Sequence, residues 1–412
     1  MASGTRRRPP TTTLIAVITF IGGIGAGLAF PILPALGLQL GIPGYLIGLI
    51  LSANRIARLG FNLVAGHFFA RLGARLALSG ALMIETLGML IFSFAQSTGH
   101  PAAWLFIGRF VYGIGMAFLL VGAQAAVLAG TERCNRGRRT AGVRIALSSA
   151  VPGGMVLGGV VADIYSDTIA FLVAAAISLA GAILAAALLP SLRRPEPGED
   201  NAAAEPFGYR ALLRTPKRTK LIAAWIFNFF VFLTVQGALI STLVLLVQDR
   251  GFVLFGMNAQ GTSSLVMAMV IAASALSASA AGRVIDKVPT RAAPLIPSLV
   301  GLAVGFALLA EAHGLPLLIL GAAVTGVFSN SISVPMLALL GDATTERQHG
   351  PAAAVFQWCG DVGGTIGPTA GIELALHVGL QPLYLGLAAL ALLAILAALW
   401  LLRHEQAEAV AG

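Results

Sequence analysis

Twelve predominantly apolar runs succeed one another along the chain, at about 13–34, 44–66, 76–96, 103–128, 141–164, 168–190, 221–247, 261–282, 292–312, 315–340, 352–376 and 383–402. An α-helix of about 20 apolar residues spans the hydrocarbon core of a bilayer. Charged residues make up only 10% of the chain against 57% hydrophobic, where soluble domains carry about 25% charged residues. So apolar a chain could not cover a water-facing surface. The expected fold is therefore an all-α integral membrane protein with twelve transmembrane helices, numbered here in chain order.

The one long polar stretch, 191–220, contains Pro195 and Pro197, both charge signs and no apolar period. It reads as a linker between two six-helix halves, 1–190 and 221–412. Placing the N-terminus inside puts 21 of the 26 Lys and Arg residues in inside segments and only Arg250 in an outside loop. That asymmetry predicts cytoplasmic termini and a cytoplasmic linker. It also accounts for the net charge of +9 as topology, which argues against a nucleic-acid partner. Arg6, Arg7 and Arg8 before an apolar run imitate a signal peptide; with eleven more runs following, an uncleaved first helix is expected. Cys134 and Cys359 fall in a basic loop and an apolar run, so no disulfide is expected. Catalytic constellations and metal-ligand spacings are absent from the sequence, and no enzyme activity, cofactor or metal is expected.

The halves repeat. Gly66 to Arg75 after helix 2 (GHFFARLGAR) corresponds to Gly282 to Arg291 after helix 8 (GRVIDKVPTR) at an offset of 216, and Glu132-Arg133 corresponds to Glu346-Arg347 at 214. Internal repeats of this kind point to a transporter with its site between the halves near the midplane.

At these positions the chain resembles the major facilitator superfamily. The family's loop between helices 2 and 3 reads G-x-x-x-D-[RK]-x-G-x-[RK]; here Gly66, Arg71, Gly73 and Arg75 match, with Ala70 in place of the acid. In the second half Gly282, Asp286, Lys287 and Arg291 match, with Pro289 in place of the glycine. Helix 4 carries Arg109-Phe-Val-Tyr112-Gly113-Ile-Gly115, similar to the family's R-x-x-x-G-x-G. Helix 5 carries Gly154-Met-Val-Leu-Gly158-Gly159, near Pro152, and helix 11 carries Gly367-Pro368-Thr-Ala-Gly371. Both resemble the G-P-x-x-G-G of family antiporters. The resemblance covers the whole chain and implies the twelve-helix transporter fold, gating by the two basic loops, proton coupling at Arg109 and a bias towards efflux. It also implies a weaker inside latch, since Ala70 replaces the acid.

The glycine patches of helices 5 and 11 permit close helix contact. Pro152 and Pro368 each remove a backbone hydrogen bond, so bending of these helices during transport is a further expectation. Gly22 to Gly27 (GGIGAG) lies within helix 1 and reads as a packing surface rather than a phosphate loop, having no strand before it.

Arg55 and Arg58 lie inside helix 2, about 17 Å and 12 Å from its inner end, and three residues apart, hence on one face. Charges at such depth are costly and conspicuous. Arg58 could snorkel to the inner surface; Arg55 is too deep for that. The acids at comparable depth are Asp361 in helix 11 and Glu85 in helix 3. In the resembled fold helices 2 and 11 meet across the halves and helices 2 and 3 are neighbours, so either arginine could pair with Asp361, and Arg55 with Glu85. A pair across moving halves could couple transport to protons; a static bridge, or for Glu85 a neutral buried carboxyl, is the simpler alternative. Glu373, Asp163 and Glu311, near outer ends, read as solvated.

In the resembled family helices 1, 4, 7 and 10 line the cavity. Here helix 4 would offer Tyr112 and Gln124, helix 7 Asn228 and Gln236 among aromatics, and helix 10 Asn330. Aromatic walls with a few amides suit a small apolar or amphipathic molecule better than a sugar. The expectation is a monomeric, proton-coupled efflux transporter of the inner membrane, whose partners are that molecule, protons and the lipid bilayer. An importer or uniporter of a metabolite or organic anion, and a non-transporting receptor or lipid-handling protein on the same fold, remain open.

Overall fold

The structure, a computed structural model, describes residues 11–129, 136–190, 217–285, 288, 290–344 and 346–411. Almost all of them are helical. The helices are α1 (Thr11–Gln39); α2 and α3, the arms 44–72 and 74–93 of one continuous stretch, Gly44–Ser93; α4 (Pro101–Ala129); α5 (Arg136–Ile164); α6 (Asp167–Leu188); α7 (Arg218–Asp249); α8 (Ala259–Ile285); α9 (Leu295–Ala310); α10 (Leu315–Asp342); α11 (Glu346–Val378); and α12 (Leu380–Ala411). Among the described residues the extended pairing is limited to an isolated bridge between Leu254 and Met257.

The turn between α2 and α3 is a single residue. Gly73 sits at φ 74°, where a side chain would be strained, and Arg71 and Arg75 flank it on the exposed surface. In the second half Arg291 Nε contacts Asp342 Oδ2 at 2.9 Å, tying the start of α9 to the end of α10. Asp286, Lys287 and most of the linker lie outside the described residues, as do the side chains at Ala70 and 282–285. The latch expected at those positions is therefore not described.

Eight helices among the described residues are long and apolar enough by themselves to cross a membrane. The arm α2 and the helix α11 are not in that set; these carry Arg55, Arg58 and Asp361. Neither are α5 and α9, whose apolar segments run only Ser149–Ile164 and Leu295–Ala310.

Helix packing follows the glycines. A Cβ on Gly27 would collide with the carbonyl of Val151, and one on Gly154 with that of Ile24, so α1 and α5 cross backbone to backbone. The same crossing recurs between α7 and α11: Gly237 and Gly367 face each other, with Gly371 against Ala238. Close approach of this kind is how apolar helices gain van der Waals contact in lipid. Opposite Gly363 and Gly367, α7 relaxes into π-helical turns over Phe232–Leu239, a local widening often found at functional sites. Gly22, Gly23 and Gly25 pack on Leu119, Ala150 and Tyr112, in keeping with a packing role for GGIGAG.

Candidate functional site

Two seams join the first six helices to the last six, α2 against α11 and α5 against α8. The chain end of each seam that lies near Tyr165 is closed. Gly48 of α2 meets the backbone of Pro368 and Thr369, Ser52 Oγ donates to the carbonyl of Thr365 at 2.6 Å, and Gly159 of α5 packs on Ser264 of α8. Carboxylates finish the closure. Asp163 Oδ2 accepts from the amide of Asn258 at 2.9 Å, and Asp167 Oδ1 from Gln260 Nε2 at 3.0 Å. Asp163, expected to be merely solvated, thus holds the 250–258 turn.

Towards the other end, the one bearing Arg71 and Lys217, the seams part around a cavity of about 610 Å³. Its walls come from α2, α4, α5, α7, α8, α10 and α11. Gln124, Gln236 and Asn330 line it, as the sequence suggested. Tyr112 and Asn228 do not: Tyr112 is fully buried and donates to the carbonyl of Gly22 at 2.8 Å, and Asn228 Nδ2 donates to the carbonyl of Phe356 at 2.7 Å. Helix α1 contributes nothing to the walls, while α2, α8 and α11 contribute Asn62, Ser274 and Gln357. A signal for two of these was available. Asn62 lies four residues after Arg58 and Gln357 four before Asp361, each one helical turn from the ion pair on the same face.

The ion pair crosses the α2–α11 seam. Arg58 Nη2 donates to Asp361 Oδ1 at 2.7 Å. Its side chains are 19% and 4% exposed respectively, both facing the cavity. Arg58 therefore does not snorkel to the surface. Arg55, one turn deeper, pairs with neither Asp361 nor Glu85. Its Nη2 reaches the carbonyl of Gln236 at 3.4 Å, the guanidinium carbon lies 5.4 Å from the centroid of the Phe232 ring, and Nη1 has no hydrogen-bond partner among the described residues. Room for it exists because position 364 is glycine: a Cβ there would overlap the Arg55 guanidinium.

Glu85 is wholly buried in the first half, between glycine notches at Gly22 and Gly115, and neither carboxyl oxygen has a hydrogen-bond partner among the described residues. The pairing with Arg55 that depth alone permitted is not formed because Leu82 and Glu85 face α1 and α4, away from the α2–α11 seam. Arg109 is also buried, with its guanidinium 5.1 Å from the Phe30 ring centroid; its Nε and Nη1 are unpartnered among the described residues. Pro152 and Pro368 lie within continuous helices, at the levels where α5 meets α1 and α11 meets α2. Gly158 packs on Leu28 of α1.

Comparison with known proteins places this arrangement. The family profile of the Major Facilitator Superfamily matches residues 15–259 and 254–411. Among curated relatives, Multidrug resistance protein 1 of Bacillus subtilis (strain 168) is 28% identical over 194 residues, 46% of this chain and 47% of that protein. The uncharacterized MFS-type transporter YceJ of the same organism is 27% identical over 210 residues, 50% of this chain and 52% of that one. The chain thus spans about half the length of the curated relatives it matches. Among solved structures, a bacterial homologue of the human lysosomal transporter Spinster, inward-facing and unoccupied, superposes with a TM-score of 0.78 at 12% identity, covering 98% of each chain. The nucleoside transporter NupG superposes with a TM-score of 0.78 at 14% identity, covering 96% of this chain and 99% of that one. At those identities the likeness is one of fold. With profile matches over nearly its whole length, the chain belongs to the Major Facilitator Superfamily.

Proposed function

We infer that this protein is a secondary transporter that exports a small apolar or amphipathic molecule in exchange for protons. The observation that carries the reading is the cavity itself, sealed at one end and crossed by the single ion pair Arg58–Asp361, which joins helices of opposite halves. A pair in that position is made or broken whenever the α2–α11 seam opens. A carboxylate that must exchange Arg58 for a proton links the movement to the proton gradient. The name of the Bacillus subtilis relative supports the outward direction. By the charge asymmetry of the loops, the cavity opens to the cytoplasm and the termini and linker are cytoplasmic. The basic loops at Arg71 to Arg75 and at Gly282 to Arg291 gate the cytoplasmic end. The glycine crossings of α1 with α5 and of α7 with α11 lie within each half and are where these helices bend; the halves meet and part along the α2–α11 and α5–α8 seams.

Proteoliposome flux with and without an imposed pH gradient tests this. Net movement out of the compartment facing the cavity, dependent on the gradient, is the expected result. Equilibration that ignores the gradient would replace exchange by uniport. Absence of flux for every compound that binds would point to a receptor.

A further inference from the structure

We propose that the cavity selects uncharged, hydrogen-bonding amphiphiles: molecules with an apolar ring carrying two or more amide, imide or hydroxyl groups. Permanent cations and organic anions are disfavoured. The proposal rests on the reading that this cavity holds the transported molecule.

The charge balance comes first. Of the residues lining the cavity, Arg58 and Asp361 are the ionisable ones, and they neutralise each other at 2.7 Å; Arg55 stands behind the wall, its guanidinium against the Gln236 carbonyl and the Phe232 ring. A cation needs a carboxylate, and here it would have to displace Arg58 and leave the guanidinium uncompensated. An anion would have to take Arg58 from Asp361, whose side chain is 4% exposed. Either exchange leaves a buried or half-buried charge without its partner. A neutral ligand leaves the pair intact.

The polar lining comes second. Asn62, Gln124, Gln236 and Gln357 bring four carboxamides to one cavity from α2, α4, α7 and α11. None of these side chains has a hydrogen-bond partner among the described residues, and Asn62 Oδ1 is buried without one. By contrast Asn330 is engaged with the carbonyl of Ser274 at 2.8 Å and serves as wall. Each carboxamide offers donors and an acceptor side by side, which matches the edge of an amide, a lactam or an imide at two points. A purely apolar occupant would displace water from these carboxamides and leave them unsatisfied, which penalises it. The apolar share of the ligand is matched by Phe232, Leu147 and Val151, and the volume suits a drug-sized molecule.

The test uses the full chain reconstituted in nanodiscs for binding and in liposomes for flux. Probes are chloramphenicol and thymidine, both uncharged, tetraphenylphosphonium as the cation, and para-aminohippurate as the anion. Expected is saturable binding of at least one neutral probe, weakened about tenfold by Gln124→Leu and by Gln357→Leu, with the charged probes bound at least tenfold more weakly. Both glutamines are exposed to the cavity, so these variants should fold; unchanged thermal unfolding checks this, and Gln→Asn at each site gives a second, milder pair. Tighter binding of either charged probe would overturn the proposal, as would neutral binding indifferent to all four variants, or no neutral binding at all. Transport of tetraphenylphosphonium alone would sink this selectivity and leave the transporter reading standing. Glutamine-dependent binding without flux would do the reverse.

Discussion

Replacing Asp361 by Asn removes the counter-charge of Arg58 while keeping shape and one hydrogen-bonding oxygen. Removing one partner of a buried ion pair costs about 3–5 kcal/mol, because the other charge is left uncompensated. Arg58 is 19% exposed into a cavity that admits water, so part of its hydration is recovered and the lower end, about 3 kcal/mol, applies. At 1.36 kcal/mol per decade that is roughly 150-fold in an equilibrium constant. If the pair forms only when the cavity faces the Arg71 end, the whole effect falls on that state. The assay is maleimide labelling of a cysteine at Gln357, in a background with Cys134 and Cys359 replaced by Ser. Labelling reports the population open at that end. Asp361→Asn should lower it by about two orders of magnitude and abolish gradient-driven flux. Arg58→Gln with Asp361→Asn, a neutral pair, should restore labelling but not the response to the gradient. The reasoning is refuted if Asp361→Asn labels normally and transports at the wild-type rate with unchanged pH dependence.

Gly364→Ala places a methyl on the Arg55 guanidinium, so it should cut transport at least tenfold, whereas Gly60→Ala, which meets nothing within 4 Å, should leave transport alone and raise thermal stability slightly, by up to about 1 kcal/mol. Gly48→Val drives a side chain into the Pro368–Thr369 backbone at the closed end; double electron–electron resonance between labels on α2 and α11 near that end should show a longer distance than in the parent, and no lengthening would count against the seam. Asp163→Ala removes the acceptor of the Asn258 amide and should speed hydrogen exchange in the 250–258 turn several-fold without altering exchange in α10. A reporter fused at residue 205 should be accessible from the cytoplasm alone.

Spans of twenty apolar residues are legible because the bilayer sets their length, and the repeat at 216 residues suggests a division into two halves. The ruler weakens at α2 and α11, where polar side chains lower the hydropathy that the ruler measures. Depth alone left both arginines as partners for Asp361. The choice of Arg58 depends on rotation about the helix axis and on Gly364, which makes room for Arg55 elsewhere; neither is written in spacing along one helix. Tyr112 was misplaced for a related reason. A phenol in a cavity-lining helix looks like a ligand contact, but Gly22 and Gly25 leave a groove in α1 that takes the ring and its hydroxyl. The π-helical turns of α7 had no sequence signal beyond the aromatics around Asn228.

The buried charges themselves argue that this interior is not tuned for stability. Among the described residues Arg58 has a carboxylate, Arg55 has a carbonyl at long range and a ring face, and Arg109 has a ring face alone. A ring face contributes about 2 kcal/mol when desolvated, well short of the several kcal/mol lost on taking an ion out of water. Glu85 could neutralise one of them, yet it stands apart between Gly22 and Gly115. A guanidinium cannot shed its charge, while a carboxyl can take up a proton. Of these five groups the two acids are therefore the ones able to change charge, and the arginines fix the positive field around them. Of the two, Asp361 faces a water-accessible cavity and a partner on a helix across the α2–α11 seam. Glu85 faces neither. Under the exchange proposed above, Asp361 is the group placed to respond to movement of the α2–α11 seam, and neutralising Glu85 as Glu85→Gln should leave the pH dependence of flux unchanged.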